Sequence, residues 1–456
     1  MKMNPSIFRA YDIRGIFGKD LTEETAERIG KAFGTYVDGG DIVVGRDCRL
    51  SSPVLMDSLI KGLIFTGCNV TNIGMVPTPV LYFSLVHYKK DGGIMITGSH
   101  NAPQYNGFKI CKGSHTLYGD EIREIGEIAE SEDFKRGKGR VEEMNVLKDY
   151  LNFIKERIEI EKELKVVIDG GNGTAGKLAS KLFGDLGCEV TELYCEPDGN
   201  FPNHFPDPTI DENLMDLISL VRDEGADMGI AFDGDADRLV IVDDTGEIIR
   251  GDQTLILFSR EILKERKNAK IIFEVKCSQA LIEDIKQHGG IPIMYRTGHS
   301  FIKKKMKEEN ALLAGEMSGH FFFADNYYGY DDGIFAAVRM AQLLSKSKEK
   351  LSEMIAKIPH YYSTPEIRIH CPEDEKFKIV EKITEKFQMD YDVIKVDGAR
   401  IQFDDGWGLV RASNTEPALI LRFEAKNRKR VEEIREIIMD ELKKFPSVAR
   451  GLDVVK

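Results

Sequence analysis

Three aspartates stand at alternate positions in the segment DGDADR, residues 233–238. If the segment is extended, side chains two apart point the same way, so the carboxylates of Asp233, Asp235 and Asp237 converge. Three carboxylates suit a hard divalent cation such as Mg²⁺, which also takes phosphate oxygens or water. A solvated acidic loop is the alternative. A calcium-binding EF-hand is excluded, because its sixth position should be glycine and this one is Arg238.

A second loop, TGSHN at residues 97–101, places Ser99 in a short polar segment after an apolar run. A serine hydroxyl at a strand end is a possible nucleophile, and His100 could activate it. The loop lacks the G-x-S-x-G elbow of hydrolases, so a turn-forming serine with a capping histidine is the alternative. Lys109, slightly further along, could neutralise a phosphate or could be a solvated surface lysine.

The third loop is GEMSGH, residues 315–320. On an extended loop Glu316 and Ser318 face the same way and suit paired sugar hydroxyls, as acceptor and as donor or acceptor. His320 titrates near neutrality and could move a proton. An ordinary polar turn is the alternative.

A fourth polar loop, RASNTEP at residues 411–417, lies between two apolar runs near the C-terminus. An arginine with two hydroxyls and an amide could cradle a phosphate, and a plain Ser/Asn/Pro turn is the alternative. The N-terminal segment FRAYDIRG, residues 8–15, adds Arg14 on an apolar stretch.

The elements that position these loops follow a repeated pattern. Residues 41–74, 164–199 and 269–298 each begin with an apolar β-branched run, continue through a polar loop into an amphipathic segment, and end in a second apolar run. This order of strand, loop, helix and strand is typical of a parallel α/β sheet. After each repeat, a further apolar run leads into one of the first three loops. Because ligands collect at the carboxyl ends of strands in such sheets, we expect the loops to point outward from strand ends.

The remainder of the chain differs. Short strands are expected around residues 366–371, 393–396, 399–403, 409–413 and 418–425, with charged helices before and after them, which predicts an α+β domain with a mostly antiparallel sheet. We therefore expect three related α/β domains with mixed, mainly parallel sheets, and a C-terminal α+β domain. The expected divisions are residues 1–142, 143–246, 247–360 and 361–456.

The composition of the chain excludes some classes of function. The chain has 456 residues and a formal net charge of −13, which argues against a general nucleic-acid grip. A local cluster of Lys and Arg can still hold a small anion. The sequence has no apolar run of about 18 residues that would predict a membrane span, and no signal peptide is expected. Seven cysteines without a C-x-x-C pair indicate reduced thiols in a cytoplasmic protein.

In order along the chain, five segments resemble those of the α-D-phosphohexomutase superfamily: FRAYDIRG, TGSHNAPQYNGFKI, DGDADR, GEMSGH and RASNTEP. The phosphomannomutase/phosphoglucomutase branch is the most similar. The resemblance extends from about Ile7 to the final helix, and GRDCR, DGGNGTAG and EVKCS add to it. It implies four domains around a central cleft, of which the first three share a fold.

The resemblance also implies roles for the candidate residues. Ser99 matches the serine that carries a phosphoryl group, and it would join Asp233, Asp235 and Asp237 in holding one Mg²⁺. Residues near the phosphoserine and the reacting phosphate would be Arg14, His100, Lys109 and Arg238. Residues that grip the sugar would be Glu316 and Ser318, with His320 as a candidate for proton transfer. The non-reacting phosphate would be bound by Tyr11, Lys276, His299, Arg411, Ser413, Asn414 and Thr415.

The implied activity is interconversion of hexose 1-phosphate and hexose 6-phosphate, with mannose or glucose as the sugar. A hexose 1,6-bisphosphate would be both intermediate and activator. The alternatives are a phosphoglucosamine mutase and a noncatalytic sugar-phosphate sensor. The expected partners are small hexose phosphates, with neither nucleic acid nor membrane. Either a monomer or a homo-oligomer is compatible with the sequence.

Overall fold

The computed structural model describes residues 3–413 and 416–453. Its elements form four β-sheets that follow one another along the chain, and we call the chain segments around them the first to fourth units. The three α/β units and the α+β C-terminal unit expected from the sequence are confirmed. Among the described residues, no helix is both long enough and apolar enough to cross a membrane.

The first unit contains β1 (Ile13–Ile16), α1 (Glu23–Tyr36), β2 (Gly40–Arg46), α2 (Ser52–Phe65), β3 (Cys68–Met75), α3 (Thr78–His87), β4 (Gly92–Ile96), β5 (Tyr105–Lys112), β6 (His115–Thr116), α4 (Asp120–Ser131) and β7 (Val141–Glu143). The sheet order is β1-β5-β4-β2-β3-β7, and β6 pairs with β5. Strand β2 is parallel to β3 and β4, whereas β5 is antiparallel to β4.

The second unit contains α5 (Leu147–Lys155), β8 (Lys165–Asp169), α6 (Gly176–Asp185), β9 (Glu189–Leu193), α7 (Met215–Glu224), β10 (Met228–Phe232), β11 (Leu239–Asp243) and β12 (Ile248–Ile249). Its sheet has the order β12-β11-β10-β8-β9. Strands β8, β9 and β10 are parallel, and β11 is antiparallel to β10.

The third unit contains α8 (Gly251–Glu265), β13 (Lys270–Glu274), α9 (Gln279–Gln287), β14 (Ile291–Tyr295), α10 (His299–Glu309), β15 (Leu313–Gly315), β16 (Phe321–Phe323), α11 (Gly333–Ser345) and α12 (Leu351–Ile355). Its sheet has the order β14-β13-β15-β16. Again the last strand, β16, is antiparallel to its neighbour β15.

The fourth unit contains β17 (Tyr362–Ser363), β18 (Ile367–His370), α13 (Lys376–Phe387), β19 (Asp392–Ile394), β20 (Ala399–Phe403), β21 (Gly406–Ala412), β22 (Ala418–Ala425), α14 (Arg428–Leu442) and α15 (Pro446–Asp453). Its sheet has the order β17-β22-β21-β20-β19, with β18 also on β22, and all its pairings are antiparallel among the described residues.

The first three chemical loops occupy equivalent positions in their sheets. Each connects a strand to the antiparallel strand beside it: β4 to β5, β10 to β11, and β15 to β16. One apolar cluster runs through the first three units, from Val43 through Val166 to Phe321. The fourth unit has an apolar cluster of its own, which includes Ile401 and Phe423. The three loops therefore start from a shared core, and the fourth loop does not.

Candidate active site

The hydroxyl of Ser99 lies directly against the acidic loop of the second unit. Its Oγ donates to Asp233 Oδ2 at 2.8 Å, and His100 Nδ1 lies 3.1 Å from the same Oγ. Ser99 is 3% exposed and has φ +48°, in the left-handed region. Burial, with the charges of Arg238 and Arg14, lowers the pKa of His100 well below its usual value. A neutral imidazole therefore stands beside the serine.

Two buried arginines hold this loop in place. Arg49 donates to the carbonyls of Ser99 at 2.8 Å and Asn101 at 2.5 Å, and also to those of Ala102 and Tyr105. Arg14 donates to the Gly98 carbonyl and, at 2.6 Å, to Asn101 Oδ1. A Cβ at Gly98 would lie 2.4 Å from the Arg49 guanidinium, so only glycine fits there.

The three aspartates of DGDADR converge, as predicted from the sequence. Asp233, Asp235 and Asp237 are fully buried, and one oxygen of each lies within 4.8 Å of those of the other two. The segment is a turn rather than the extended stretch expected, because Ala236 has φ +61° and its amide donates to the Asp233 carbonyl at 3.0 Å. A turn brings alternate side chains to one point as effectively as a strand does.

The glycine-rich segment 170–173 supports this turn. Thr174 N donates to the Gly234 carbonyl at 3.1 Å. A Cβ at Gly173 would lie 2.8 Å from the Gly234 oxygen, so the two backbones touch. The glycine-rich segment therefore lies in direct contact with the acidic turn.

Lys109, on β5, reaches across to the same carboxylates. Its Nζ donates to Asp235 Oδ2 at 2.7 Å and also to Asp237. Burial lowers the pKa of Lys109, but the charges of Asp235 and Asp237 outweigh it and raise the pKa above the usual value. Burial and the two neighbouring carboxylates raise the pKa of Asp233 well above its usual value. We call Ser99, Lys109, Asp233, Asp235 and Asp237 the catalytic cluster.

A metal ion fits the charge and the free atoms of this cluster. Asp235 Oδ1 and Asp237 Oδ1 are buried and have no hydrogen-bond partner among the described residues. Three carboxylates face one ammonium, so negative charge is in excess. Buried charges of one sign are costly unless a counter-charge joins them, and carboxylate oxygens are ligands for hard divalent cations. The donor set is therefore appropriate for such a cation.

His320 connects the cluster to the third unit. Its Nε2 accepts from Arg238 Nε at 3.1 Å, and its Nδ1 lies 3.1 Å from Asp331 Oδ2. Arg238 N also donates to Asp233 Oδ1 at 3.2 Å. Asp331 further contacts Lys303 Nζ at 3.0 Å. His320 thus lies between an arginine of the second unit and a carboxylate of the third.

Glu316, in the third loop (residues 315–320), is buried. Its Oε1 accepts from Gly298 N at 2.7 Å, and the residue is 2% exposed. Burial raises the pKa of Glu316 to about 7, with a further contribution from Glu274 against the opposing effect of His320. Ser318, half-buried, lies in the same segment, which is a turn rather than an extended loop.

Tyr11, His299 and Lys276 gather near this loop from separate elements. Tyr11 donates from its hydroxyl to the Thr297 carbonyl at 3.1 Å. The His299 ring stacks on that of His320, with 5.5 Å between centroids. Lys276 Nζ lies 3.0 Å from Glu366 Oε2 and 3.5 Å from Glu274 Oε1.

Arg411 and Ser413 represent the fourth loop among the described residues. Arg411 is 6% exposed and pairs with Asp397 at 3.0 Å, and Asp397 also accepts from Thr297 N at 3.0 Å. Ser413 Oγ accepts from Glu416 N at 3.1 Å. The carboxylate of Glu416 pairs with Arg368 at 2.6 Å. Two predicted phosphate ligands, Asn414 and Thr415, lie outside the described residues.

Besides Arg49, four supporting side chains received no role from the sequence. Asp47 accepts from Arg49 and from Gly98 N, and Thr78 Oγ1 donates to Asp235 Oδ2 at 2.5 Å. Glu274 accepts from Met317 N at 3.0 Å, and Asp331 is described above. Asp47 and Glu274 lie in GRDCR and EVKCS, two segments that resemble those of the superfamily but predicted no role for these residues. Asp331 and Thr78 lie in segments without any signal.

Comparison with known proteins identifies the class of enzyme. Families described as phosphoglucomutase/phosphomannomutase, alpha/beta/alpha domains I, II and III, match residues 5–136, 148–246 and 250–362, and the C-terminal domain family matches residues 366–441. The chain belongs to the phosphoglucomutase/phosphomannomutase family of the α-D-phosphohexomutases, which are metal-dependent intramolecular phosphotransferases.

Individual relatives are similar to this chain over nearly their whole length. The phosphomannomutase/phosphoglucomutase of Pseudomonas aeruginosa is 48% identical, covering 97% of this chain and 96% of that protein. The phosphoglucomutase of Neisseria gonorrhoeae is 46% identical, covering 94% and 95%. The crystal structure of a phosphoglucomutase/phosphomannomutase family protein from Burkholderia thailandensis is 42% identical and superposes with a TM-score of 0.93, covering 97% and 98%.

Proposed function

We propose that this protein interconverts the 1- and 6-phosphates of mannose and glucose through a phosphoserine at Ser99 and a hexose 1,6-bisphosphate. The observation that carries the proposal is the 2.8 Å hydrogen bond from Ser99 Oγ to Asp233, which joins the candidate nucleophile to three buried carboxylates. Relatives that match almost the whole chain are named phosphomannomutase/phosphoglucomutase, in agreement with this activity.

Asp233, Asp235 and Asp237 would hold one Mg²⁺ per chain. The ion would supply positive charge against the phosphoryl oxygens, which is the main requirement for phosphoryl transfer. Arg14, Arg238 and Lys109 add fixed positive charge from three directions. In the resting enzyme a phosphoryl group on Ser99 would lie among these side chains.

The reaction needs two transfers. In the first, the bond from Ser99 Oγ to phosphorus breaks, a bond from the sugar oxygen to phosphorus forms, and the sugar hydroxyl gives its proton to a base. We assign that base to His320, which is buried beside the acidic turn with its Nδ1 3.6 Å from Asp237 Oδ1. The second transfer reverses these events with the other phosphate of the bisphosphate.

The sugar and its distal phosphate would be held by the remaining candidates. Glu316 and Ser318 grip hydroxyls at the third-unit loop. The group expected to bind the non-reacting phosphate is Tyr11, Lys276, His299, Arg411, Ser413, Asn414 and Thr415. This phosphate site would bind either phosphate of the bisphosphate. The intermediate could then turn around, and the same transfer groups would serve both steps. We also propose hexose phosphates as the partners, the cytoplasm as the location, and domain divisions after residues 142, 246 and 360.

Steady-state rates with mannose, glucose and glucosamine 1-phosphates test the proposal. We expect kcat/KM to be similar for mannose and glucose and lower for glucosamine, and the rate to rise when glucose 1,6-bisphosphate is added. The intact mass should show one phosphoryl group on Ser99. Release of inorganic phosphate as the main product would indicate a phosphatase, and binding without turnover would indicate a sensor.

A further inference from the structure

A cleft away from the catalytic cluster lies between the first and third units. Its volume is about 140 Å³, and it is lined by residues 114–116 at the turn into β6 and by Ser300, Lys303, Lys304, Lys307 and Glu308 of α10. Since a water molecule takes about 30 Å³ of liquid, the space is large enough for a small ligand with its hydration. None of these residues belongs to the sites proposed above.

The cleft is positively charged. Lys303, Lys304 and Lys307 stand within about one turn of α10, and Glu308 is the acidic side chain among the described residues that line the cleft. Glu308 also lies 4.0 Å from Lys305, outside the cleft. Lys307 Nζ donates to Ser114 Oγ at 3.2 Å, so this side chain of the third unit contacts the first unit. Like charges one turn apart repel each other unless an anion joins them.

Among the described residues Lys304 and Lys307 have no ion pair with a carboxylate, whereas Lys303 has one. Lys303 is 7% exposed and pairs with Asp331, while its ammonium also lies 4.2 Å from the centre of the Tyr82 ring. Desolvation and the charge of Lys303 lower the pKa of Lys307. Lys307 thus lies in surroundings that favour an added negative charge.

A buried hydroxyl provides an independent indication of a ligand. Ser300 is 2% exposed, lines the cleft, and its Oγ has no hydrogen-bond partner among the described residues. An unsatisfied buried hydroxyl is destabilising, and such groups are rare in native proteins without a water or ligand. A hydroxyl and several ammonium groups together match the acceptor oxygens of a tetrahedral oxyanion.

We propose that this cleft binds a phosphate group, at a second site distinct from the one that binds the substrate. The free anion and the phosphate of a phosphosugar share the chemistry that the cleft recognises. The inference does not depend on the reaction proposed above. The cleft is nonetheless close to the active site. Lys303 contacts one oxygen of Asp331, and the other oxygen of Asp331 faces His320.

Protection of the lysines from acetylation tests the site locally. The full chain is treated with a limiting amount of an acetylating reagent across a titration of inorganic phosphate, and the labelled lysines are mapped by mass spectrometry. At nine times the dissociation constant, mass action leaves about one tenth of the sites free, so labelling of Lys304 and Lys307 should fall about tenfold. Lys305, which pairs with Glu309 at 2.7 Å, serves as the internal control and should label equally throughout.

Three variants separate this site from the substrate site. Arg411→Ala weakens the proposed substrate phosphate site, and protection of Lys304 and Lys307 should persist in it. Ser300→Ala should weaken protection by about tenfold or more, because a hydrogen bond to an anion is lost. Lys305→Gln, on the same helix, should leave protection unchanged.

Parallel titrations with glucose 6-phosphate distinguish a site for free phosphate from a site for the phosphate of a phosphosugar. Equal protection by both ligands supports a site for the phosphate group alone, and stronger protection by the sugar phosphate supports a site that also contacts the sugar. The proposal is overturned if neither ligand protects Lys304 and Lys307, or if protection disappears in Arg411→Ala.

Discussion

The catalytic cluster and the fourth loop, residues 411–417, hold their charges in different ways. Every charged member of the catalytic cluster is at most 4% exposed, and the cluster joins two units that share one apolar core. In the fourth loop Arg411 is 6% exposed, but Glu416 is exposed and the unit has a core of its own. Under the proposed function this difference would separate chemistry from recognition: the transfer groups would be fixed, and the distal phosphate would be bound by a unit with a core of its own.

The contact between the third and fourth units is partly apolar and partly polar. An apolar cluster of Val275, Trp407 and Leu409 bridges them. Arg400, fully buried, donates to the Val275 carbonyl at 2.7 Å and stacks on the Trp407 ring at 3.8 Å. This seam attaches the fourth loop to the site without merging the two cores.

The largest expected effect is at the nucleophile. We expect Ser99→Ala to lower kcat by at least about 10⁴-fold, because an enzyme without its nucleophile retains only binding and electrostatic effects. A coupled assay and the intact mass of the variant measure this. Ser131→Ala, an exposed serine at the end of α4, is the matched control and should keep full activity. Substantial turnover by Ser99→Ala would show that the phosphoserine mechanism is wrong.

The metal ligands come next. We expect Asp237→Asn to raise the half-saturating concentration of Mg²⁺ by more than the roughly 10–100-fold seen for residues that only support ligands. Activity as a function of free Mg²⁺ measures the shift. Asp243→Asn is the control, since Asp243 is buried on β11 but only caps the following turn through Thr245 N at 2.8 Å. An unchanged Mg²⁺ requirement in Asp237→Asn would place the metal elsewhere.

The fourth loop should respond differently. Removing the guanidinium in Arg411→Ala loses a hydrogen bond to a charged group, worth about 1.5–3 kcal/mol, so we expect KM to rise about 10–100-fold. The change in kcat should be small in comparison, which would sharpen the contrast with the catalytic cluster. Arg435→Ala, on α14, is the control. A fall in kcat as large as that in Ser99→Ala would contradict the separation of chemistry from recognition.

The last prediction concerns stability and not catalysis: we expect stability to depend on pH through Glu316. Its folded-state pKa is raised to about 7, so between its usual value of 4.5 and pH 7 the folded state binds more proton than the unfolded state. Stability therefore falls as pH rises through this window, by up to about 3 kcal/mol. Glu316→Gln should remove this part of the decline.

Denaturant midpoints at pH 5 and pH 8 measure the effect. The parent should lose more stability than Glu316→Gln between the two values. Glu436→Gln, an exposed position on α14, should behave like the parent. If the parent and Glu316→Gln decline equally, the carboxyl is not held in a setting that favours its neutral form.

The sequence predicted the fold class and the convergence of the three aspartates because both depend on local pattern, whereas the roles of the other candidate residues stay predictions from the family resemblance. The repeated strand, loop and helix order predicted three related units, and alternate aspartates predicted a convergent cluster. The geometry of that cluster could not be predicted, because a turn with Ala236 at φ +61° replaces the expected extended segment. Either backbone brings the carboxylates together, so the pattern alone does not distinguish them.

The supporting residues were harder to find from the sequence. Asp331 lies in YDDG, which resembles an ordinary charged loop, yet it contacts His320, His299 and Lys303 from a fully buried position. Arg49 is also fully buried, although a lone arginine after a strand usually predicts solvent exposure. Such roles arise from contacts between units, which depend on how the units pack and leave no periodic signal.

The left-handed backbone at Ser99 has a consequence for which hydroxyl amino acid can serve there. At φ +48° a β-branched residue is a steric outlier, whereas serine, with a single atom beyond Cβ, is tolerated. Threonine offers the same hydroxyl but adds a methyl group in a loop that is already packed against Arg49. The shape of the main chain thus restricts this position to serine before any question of reactivity arises.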